Sequence, residues 1–245
     1  MLNNKKITVV MPAYNAGATL YETYNNIPLD VADEVILVDD CSSDNTVALS
    51  RSLGIKTIVH NKNLGYGANQ KTCYKAALEN NADIIVMLHP DFQYDPRLIP
   101  ALASMVAYDN YDCAIASRFL VQSALKSKMP KYKFLANKFL SFFQNICLNK
   151  GLSEYHSGYR VFKKEVLNNI EFDKLDNGFV FDNQMLALIY YNGFSIGEIS
   201  CPTKYFDAAS SINFCRSLKY GFGVLNVSIL YLLARFGIKI GIFEN

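Results

Sequence analysis

The feature that most constrains this fold is a repeated alternation of short apolar runs and helical stretches over the first 120 residues. The runs are rich in β-branched residues, and the stretches between them have apolar residues at helical spacing. Continuous apolar runs of about four to eight residues are typical of parallel strands that are buried on both faces. Their alternation with helices predicts the α/β class, a Rossmann-like, mostly parallel sheet flanked by helices.

The apolar runs and helical patterns set the positions of the predicted elements. We expect the strands at 7–11, 34–40, 55–59, 83–88 and 113–117. We expect the helices between them at 18–26, 46–53, 68–80 and 98–108. Ligands of such sheets bind beyond the carboxyl ends of the strands. The residues that directly follow each strand are therefore the expected position of a binding site.

The rhythm changes after residue 120. Residues 126–149 combine lysines with bulky apolar side chains, and residues 153–200 return to α/β character. The part from Ser211 onward is apolar with helical spacing, which predicts an amphipathic helical part at the C-terminal end. The sequence contains no internal repeat and no clear linker, so we expect a single domain over residues 1–245.

Composition places the chain among globular proteins and limits its partners. Hydrophobic residues make up 51% of the 245 and charged residues 19%, unlike a disordered chain. A net charge of +2 is too small to indicate nucleic-acid binding. The six cysteines form no C-x-x-C pair, which argues against structural zinc. Together with a start that lacks a signal-peptide pattern, they favour a reducing, cytoplasmic location.

Polar, turn-prone loops follow the first four predicted strands, and we expect them to meet at one edge of the sheet. The loops are Met11–Asn15, Asp39–Thr46, Asn61–Asn69 and His89–Pro96. A carboxylate of Asp39 or Asp40 suits recognition of the N–H of uracil or guanine. Glycine at 65 and 67 allows close approach of the backbone to a nucleotide. Taken singly, each of these residues is also an ordinary turn or cap residue.

Three of these loops resemble the nucleotide-binding half of family 2 glycosyltransferases, which have the GT-A fold. The similar motifs are P-A-Y-N, V-D-D-x-S-x-D-x-T and N-x-G-x-G, and the resemblance is strong over residues 6–120. It implies transfer of a hexose, with inversion, from a UDP- or GDP-sugar. It also implies a nucleotide-sugar half at 1–120 and an acceptor half at 121–245. The implied donor-binding residues are Pro12, Ala13, Tyr14, Asn15, Asp39, Asp40, Gly65 and Asn69.

The loop after the fourth strand resembles the D-A-D-L-Q run of the polyprenyl-phosphate branch of this family. Here Asp91 and Gln93 match, but His89 replaces the first acid. The resemblance implies a divalent cation, Mn²⁺ or Mg²⁺, held by Asp91 with Gln93 as a second ligand. Three roles are open for His89. It binds this metal through a ring nitrogen, which favours Mn²⁺, or it contacts phosphate or sugar. The third alternative is a strand-end histidine without a ligand.

Further residues are implied for the acceptor side. Arg118 is similar to an arginine that binds the acceptor phosphate in dolichyl-phosphate mannose synthases, although a surface salt bridge is an alternative. The segment Ser153–Arg160 resembles the D-x-x-S-G-F-R segment that lines the sugar and acceptor pocket. Its implied contacts are Glu154, His156, Ser157, Gly158 and Arg160. Lys204 matches a basic residue that closes over the diphosphate.

Asp182 is the acid that distinguishes two kinds of acceptor. If the acceptor is a saccharide hydroxyl, Asp182 is the candidate base. A phosphate acceptor is already anionic and needs no strong base. Asp182 is also placed where an acid stabilises the start of a helix. The fourth loop lacks its first acid, and Gln184 stands where relatives often have Glu. These two departures leave open an alternative function, that of a non-catalytic protein that binds sugar nucleotides.

Two apolar stretches predict contact with a membrane surface. The first interleaves lysines with large apolar residues, and its helically spaced members are Leu135, Phe139, Phe142, Phe143 and Ile146. The second, Tyr220–Ala234, is flanked by Lys219 and Arg235 but is shorter than the roughly 20 residues of a membrane span. We expect interfacial helices on the inner face of a membrane. A core helix or a homo-oligomer interface are the alternatives.

Overall fold

A single twisted sheet organises the computed structural model, which describes residues 1–120, 129–203 and 214–244. Its strands are β1 (Ile7–Ala13), β2 (Glu34–Asp39), β3 (Lys56–Val59), β4 (Ile84–Met87), β5 (Cys113–Ser117), β6 (Arg160–Lys163) and β7 (Ile196–Ser200). They are ordered β3-β2-β1-β4-β6-β5-β7. Only β6 runs antiparallel to its neighbours, β4 and β5, among the described strands. The mostly parallel α/β sheet predicted from the sequence is confirmed.

Helices cover both faces of this sheet. They are α1 (Leu20–Asn25), α2 (Thr46–Ser52), α3 (Tyr66–Glu79), α4 (Ile99–Ala107), α5 (Lys131–Leu148), α6 (Lys164–Asn169), α7 (Phe181–Tyr191) and α8 (Phe214–Arg235). Short 3₁₀ turns lie at Pro96–Leu98, Phe172–Lys174 and Gly241–Phe243. The first five strands and four helices lie where the sequence predicts them. β1 continues beyond the predicted end at Met11, because Pro12 and Ala13 still pair with β2.

The core consists of two apolar layers, one on each face of the sheet. Val9 and Met11 of β1 belong to the layer under α1 and α4, whereas Val10 belongs to the layer under α3, α7 and α8. Successive side chains of a strand point to opposite faces. Because both faces are covered, both sets of positions are apolar, and this is why the strands are continuous apolar runs.

Helices α5 and α8 pack against each other on the α7 side of the sheet. Helix α8, Phe214–Arg235, lies in the part from Ser211 onward that the sequence predicts to be helical, and it contains the apolar stretch Tyr220–Ala234. On length and composition alone, its segment Arg216–Arg235 is sufficient to cross a membrane, which the sequence analysis did not expect. The predicted boundary at residue 120 falls inside the sheet, since β6 and β7 follow it along the chain.

The start of α3 packs closely against the loop before α7. A substitution that adds a side chain at Gly67 tests this contact. An added Cβ would lie 2.6 Å from the carbonyl oxygen of Asp176 and 2.7 Å from Cβ of Phe181. We expect Gly67→Ala to lower the free energy of unfolding by about 1–3 kcal/mol, measured by urea denaturation. Gly221→Ala in α8, where an added Cβ meets nothing within 4 Å, is the control.

The control substitution removes a helix-destabilising glycine, so Gly221→Ala should raise the free energy of unfolding by about 0.5–1 kcal/mol. Equal effects of the two substitutions would contradict the close packing at Gly67.

Candidate functional site

Two adjoining cavities open at the carboxyl edge of the parallel strands. The larger has a volume of about 630 Å³ and the smaller about 310 Å³. Both are lined by Tyr66, His89, Asp91 and Phe179, where they meet. The predicted residues that line the larger cavity are Pro12, Ala13, Tyr14, Asn15, Asp40, Gly65, Asn69, His89 and Asp91. The four loops thus meet at one edge of the sheet.

The Asp40 carboxylate joins the second loop to the third. It accepts hydrogen bonds from the backbone N–H groups of Leu64 and Gly65, at 2.8 and 2.9 Å, and lies 2.8 Å from Nδ1 of His60. This arrangement holds the turn at Gly65, whose φ of +100° favours glycine. Asp39 is buried and accepts hydrogen bonds from the turn that follows it. Base recognition by either acid stays a prediction.

The first loop is held from two sides. The Asn15 side-chain oxygen accepts a hydrogen bond from the backbone N–H of Ser43 at 2.9 Å. The Asn15 backbone N–H donates to Oγ of Ser42 at 2.8 Å. The Asn69 amide donates to the carbonyl of Ala13 at 3.2 Å and ties α3 to the end of β1. The wall of the larger cavity is therefore braced before any ligand binds.

A hydrogen-bonded chain crosses the boundary between the two cavities. The Tyr66 hydroxyl donates to Oδ2 of Asp182 at 2.7 Å and lies 3.1 Å from Nε2 of His89. Oδ1 of Asp182 accepts from the Gln70 side-chain amide at 3.1 Å and lies 3.4 Å from Nη1 of Arg160. Neither Tyr66 nor Gln70 was predicted from the sequence. The only signal for Tyr66 is its place inside the N-x-G-x-G loop.

The residues predicted for the acceptor side divide into lining and supporting groups. Arg118, His156, Gly158 and Asp182 line the smaller cavity. Arg160, by contrast, is fully buried behind the site and lines neither cavity. Its guanidinium donates to the carbonyls of residues 155, 157 and 182. Arg160 therefore supports the site, as do the buried residues Ser157 and Glu154.

Arg118 makes an ion pair with Glu154 inside the protein. Its Nε and backbone N–H each donate to the Glu154 carboxylate at 2.7 Å, and its Nη2 also donates there. Nδ1 of His156 lies 2.7 Å from the Tyr220 hydroxyl. Burial lowers the pKa of His156 to about 3, and the cations of Arg118 and Arg160 act in the same direction. His156 is therefore neutral at physiological pH.

Burial also sets the protonation of the residues at the boundary. It raises the pKa of Tyr66 well above its usual value, and the Asp182 carboxylate adds to this effect. Tyr66 therefore keeps its proton and donates a hydrogen bond to Asp182. Burial lowers the pKa of His89, whereas Asp91 and Asp182 act in the opposite direction. At neutral pH His89 is a neutral imidazole with one protonated nitrogen.

The residues at this boundary suit a divalent cation that is shared with a ligand. His89 and Asp91 line both cavities, and Gln93 lines the smaller one. Among the described residues, no group of three His, Cys, Asp or Glu side chains is arranged to enclose a metal. An imidazole nitrogen, a carboxylate and an amide oxygen fit a cation that completes its shell with phosphate oxygens. Lys204 lies outside the described residues.

The fold and site define an α/β protein with two cavities beyond the carboxyl ends of its parallel strands, where ligands of such sheets bind, and these cavities meet at a polar boundary. The sequence profile described as "Glycosyl transferase family 2" matches residues 8–171. The chain belongs to this family. The family membership that the loop motifs predicted is thus confirmed.

Two relatives of known name are similar to this chain in sequence. The UDP-N-acetylglucosamine–dolichyl-phosphate N-acetylglucosaminyltransferase of Methanococcus voltae is 27% identical, over 82% of this chain and 87% of the relative. Polyprenol monophosphomannose synthase of Mycolicibacterium smegmatis is 24% identical, over 80% of this chain and 76% of the relative.

Glucosyl-3-phosphoglycerate synthase of Mycobacterium tuberculosis has a similar fold. Its structure in complex with Mn²⁺, UDP and glucosyl-3-phosphoglycerate superposes with a TM-score of 0.66 at 18% identity. The match covers 97% of this chain and 82% of that chain. The fold of this chain is therefore that of the GT-A glycosyltransferases.

The buried pair of Arg160 and Asp182 generates a stability prediction. Replacing Arg160 by Met leaves the Asp182 carboxylate without its cation and removes the hydrogen bonds that Arg160 donates to three backbone carbonyls. We expect a loss of about 3–5 kcal/mol in the free energy of unfolding, measured by urea denaturation. The control is Arg97→Met, which breaks an exposed pair with Asp95 and should change stability little. Similar losses in both variants would refute a structural role for the buried pair.

Proposed function

We propose that this chain is an inverting glycosyltransferase that moves a hexose from a UDP- or GDP-sugar to a polyprenyl phosphate at a membrane surface. The observation that carries the proposal is the make-up of the smaller cavity, which joins Arg118 and Lys133 to an apolar wall. The apolar and aromatic members of that wall are Met129, Tyr132, Ala136, Leu140, Leu218 and Tyr220. Such a cavity suits an acceptor with an anionic head and an apolar chain.

The larger cavity suits the donor. Its volume of about 630 Å³ lies in the range of cavities that hold small molecules and cofactors. The relatives described above are named for dolichyl-phosphate and polyprenol products or acceptors, and one is named for a UDP-sugar. These names support a nucleotide-sugar donor and a lipid-phosphate acceptor for this chain.

The junction of the cavities supports an in-line reaction. In the proposed step, a phosphate oxygen of the acceptor forms a bond to the anomeric carbon of the sugar. The bond from that carbon to the diphosphate breaks, and its electron pair leaves with the nucleoside diphosphate. Asp91 and Gln93 would hold the divalent cation, Mn²⁺ or Mg²⁺, which supplies charge neutralisation on the diphosphate when bound.

Product formation tests this proposal. Purified protein, Mn²⁺ and a polyprenyl phosphate are incubated with a panel of UDP- and GDP-sugars, and lipid products are measured by mass spectrometry. We expect a glycosylated lipid phosphate from at least one donor. Nucleotide binding without any product across the panel would overturn the enzyme proposal in favour of a non-catalytic sugar-nucleotide-binding protein.

The same assay with Asp182→Asn separates the two acceptor classes. The Asp182 oxygens already accept from Tyr66 and Gln70 and face Arg160, which supports a structural role. With a phosphate acceptor and saturating Mn²⁺ we expect the rate per folded protein to fall by no more than about tenfold, because no base is needed. A fall of about two to four orders of magnitude would instead identify Asp182 as the base for a saccharide hydroxyl.

The outer face of α5 and α8 supports a membrane location. Helix α5 buries the polar residues Ser141 and Gln144, while Leu135 and Phe142 are 70% and 64% exposed. Phe222 of α8 is 71% exposed. We call the exposed apolar residues of the two helices the apolar face: Tyr132, Leu135, Phe139, Phe142, Ile146, Leu218, Phe222, Ile229 and Leu232. A helix packed only on a core has the opposite distribution of polar and apolar side chains.

Charge favours an anionic lipid surface over a second protein. Neither α5 nor α8 contains an Asp or a Glu. The cations of the two helices are Lys131, Lys133, Lys138, Arg216, Lys219 and Arg235. An apolar face with cations and no acids suits the headgroup region of an anionic bilayer. The described cysteines are unpaired, which fits the cytoplasmic, inner face of a membrane.

Vesicle binding tests the apolar face. We expect the protein to float with vesicles of phosphatidylglycerol and phosphatidylcholine, and less with phosphatidylcholine alone. Phe139→Ser with Phe142→Ser should weaken binding by about two to four orders of magnitude, because each buried Phe contributes about 1.5–3 kcal/mol. The control is Tyr21→Ser with Tyr108→Ser, which alters exposed aromatics on the opposite side of the sheet.

Two results would contradict this assignment. One is equal vesicle binding by the two double variants. The other is self-association of the wild-type protein that the Phe139 and Phe142 substitutions abolish without any vesicle binding, which would make the apolar face a homo-oligomer interface.

A further inference from the structure

The chain of hydrogen bonds from Asp182 to His89 determines which nitrogen of His89 carries the proton. The Tyr66 hydroxyl has one proton, and it donates that proton to the Asp182 carboxylate at 2.7 Å. The Tyr66 oxygen then has only lone pairs to offer to Nε2 of His89, 3.1 Å away. A hydrogen bond between them requires the proton on Nε2, so that in the neutral ring Nδ1 has a lone pair.

The packing of the His89 ring leaves the Nδ1 side available. A Cβ added at Gly158 would lie 2.5 Å from Nε2 and 2.7 Å from Cδ2 of His89, so this edge of the ring is pressed against the Gly158 backbone. The Nδ1 edge points away from Gly158. Nδ1 has no hydrogen-bond partner among the described residues, and His89 lines both cavities beside Asp91.

The anchor at the far end of the chain is rigid. Asp182 is buried, and its carboxylate is held by the Gln70 amide at 3.1 Å and by Arg160 at 3.4 Å. Tyr66 also stacks on His89, with ring centroids 5.4 Å apart and an interplanar angle of 15°. The position of the imidazole is therefore set by residues on three different elements of the fold.

We propose that Asp182 and Tyr66 are positioning residues that fix His89 as the Nε2–H tautomer and present its Nδ1 lone pair as a ligand for the divalent cation. The nitrogen then takes the place of the first acid that the fourth loop lacks. Histidine ligands commonly donate their other ring N–H to an oxygen that fixes the tautomer, often a carboxylate. Here a tyrosine lies between the carboxylate and the imidazole. The tautomer assignment does not depend on the proposed function. The role of His89 as a ligand of the cation rests on the proposed function.

Nitrogen-15 NMR of the metal-free protein tests the tautomer. The chain has three histidines, and His89→Gln identifies the His89 signals. We expect a protonated Nε2 and an unprotonated Nδ1 in the wild type, and a mixture of tautomers in Tyr66→Phe. Tyr220→Phe is the matched control, because Tyr220 contacts His156 and should alter the signals of that residue alone. A protonated Nδ1 in the wild type, or no change in Tyr66→Phe, would overturn the tautomer assignment.

Metal binding tests the second half of the proposal. Mn²⁺ affinity is measured by electron paramagnetic resonance, and Mg²⁺ affinity by its competition with Mn²⁺. We expect Tyr66→Phe to weaken Mn²⁺ binding by about 10–100-fold. His89→Asp should shift the preference from Mn²⁺ towards Mg²⁺, since it replaces a nitrogen ligand by a carboxylate. Unchanged affinity and preference in both variants would refute His89 as a ligand. That result would leave the product assay, which measures transfer directly, as a separate test of the proposed function.

Discussion

The contact between Arg160 on β6 and Asp182 at the start of α7 holds the two parts of the site together. Strand β6 lies between β4 and β5 and runs against both, so it brings residues from the second half of the chain into the middle of the sheet. Arg160 is fully buried and donates to three backbone carbonyls as well as facing Asp182. A charge in this position is tolerated because each of the three guanidinium nitrogens meets an acceptor.

The influence of this contact extends to the boundary between the cavities. Asp182 holds the Tyr66 hydroxyl, and Tyr66 contacts His89 at the end of β4. Gly158, two residues before Arg160, leaves the space in which the His89 ring lies. The two cavities therefore share one buried framework.

The two helices that border the smaller cavity serve both the site and its surroundings. Leu140 and Tyr220 line the cavity, Phe139 and Phe142 belong to the apolar face, and Tyr132 and Leu218 belong to both. The proposed lipid acceptor would lie in a cavity whose lining includes both apolar side chains and Arg118. The proposed substrate and the proposed location are thus connected by the same pair of helices.

Much of the fold and part of the site were predictable from the sequence. Apolar runs and helical spacing located the first five strands and four helices, because both depend on local patterns that burial on two faces imposes. The loops at Asp40, Gly65 and Asp91 were predictable for the same reason, since each follows a strand directly. The pairing of Arg118 with Glu154, 36 residues away, was not predictable from either residue alone.

The sequence by itself determined the class of fold, the edge of the sheet that carries the site, and the membership in the glycosyltransferase family. Only the tertiary structure decided which residues touch a ligand space and which support it from behind. Tyr66 meets Asp182 across 116 residues of chain, and Gln70 meets it across 112. No local pattern encodes such contacts, because they depend on how β6 and α7 pack against α3 once the sheet has formed.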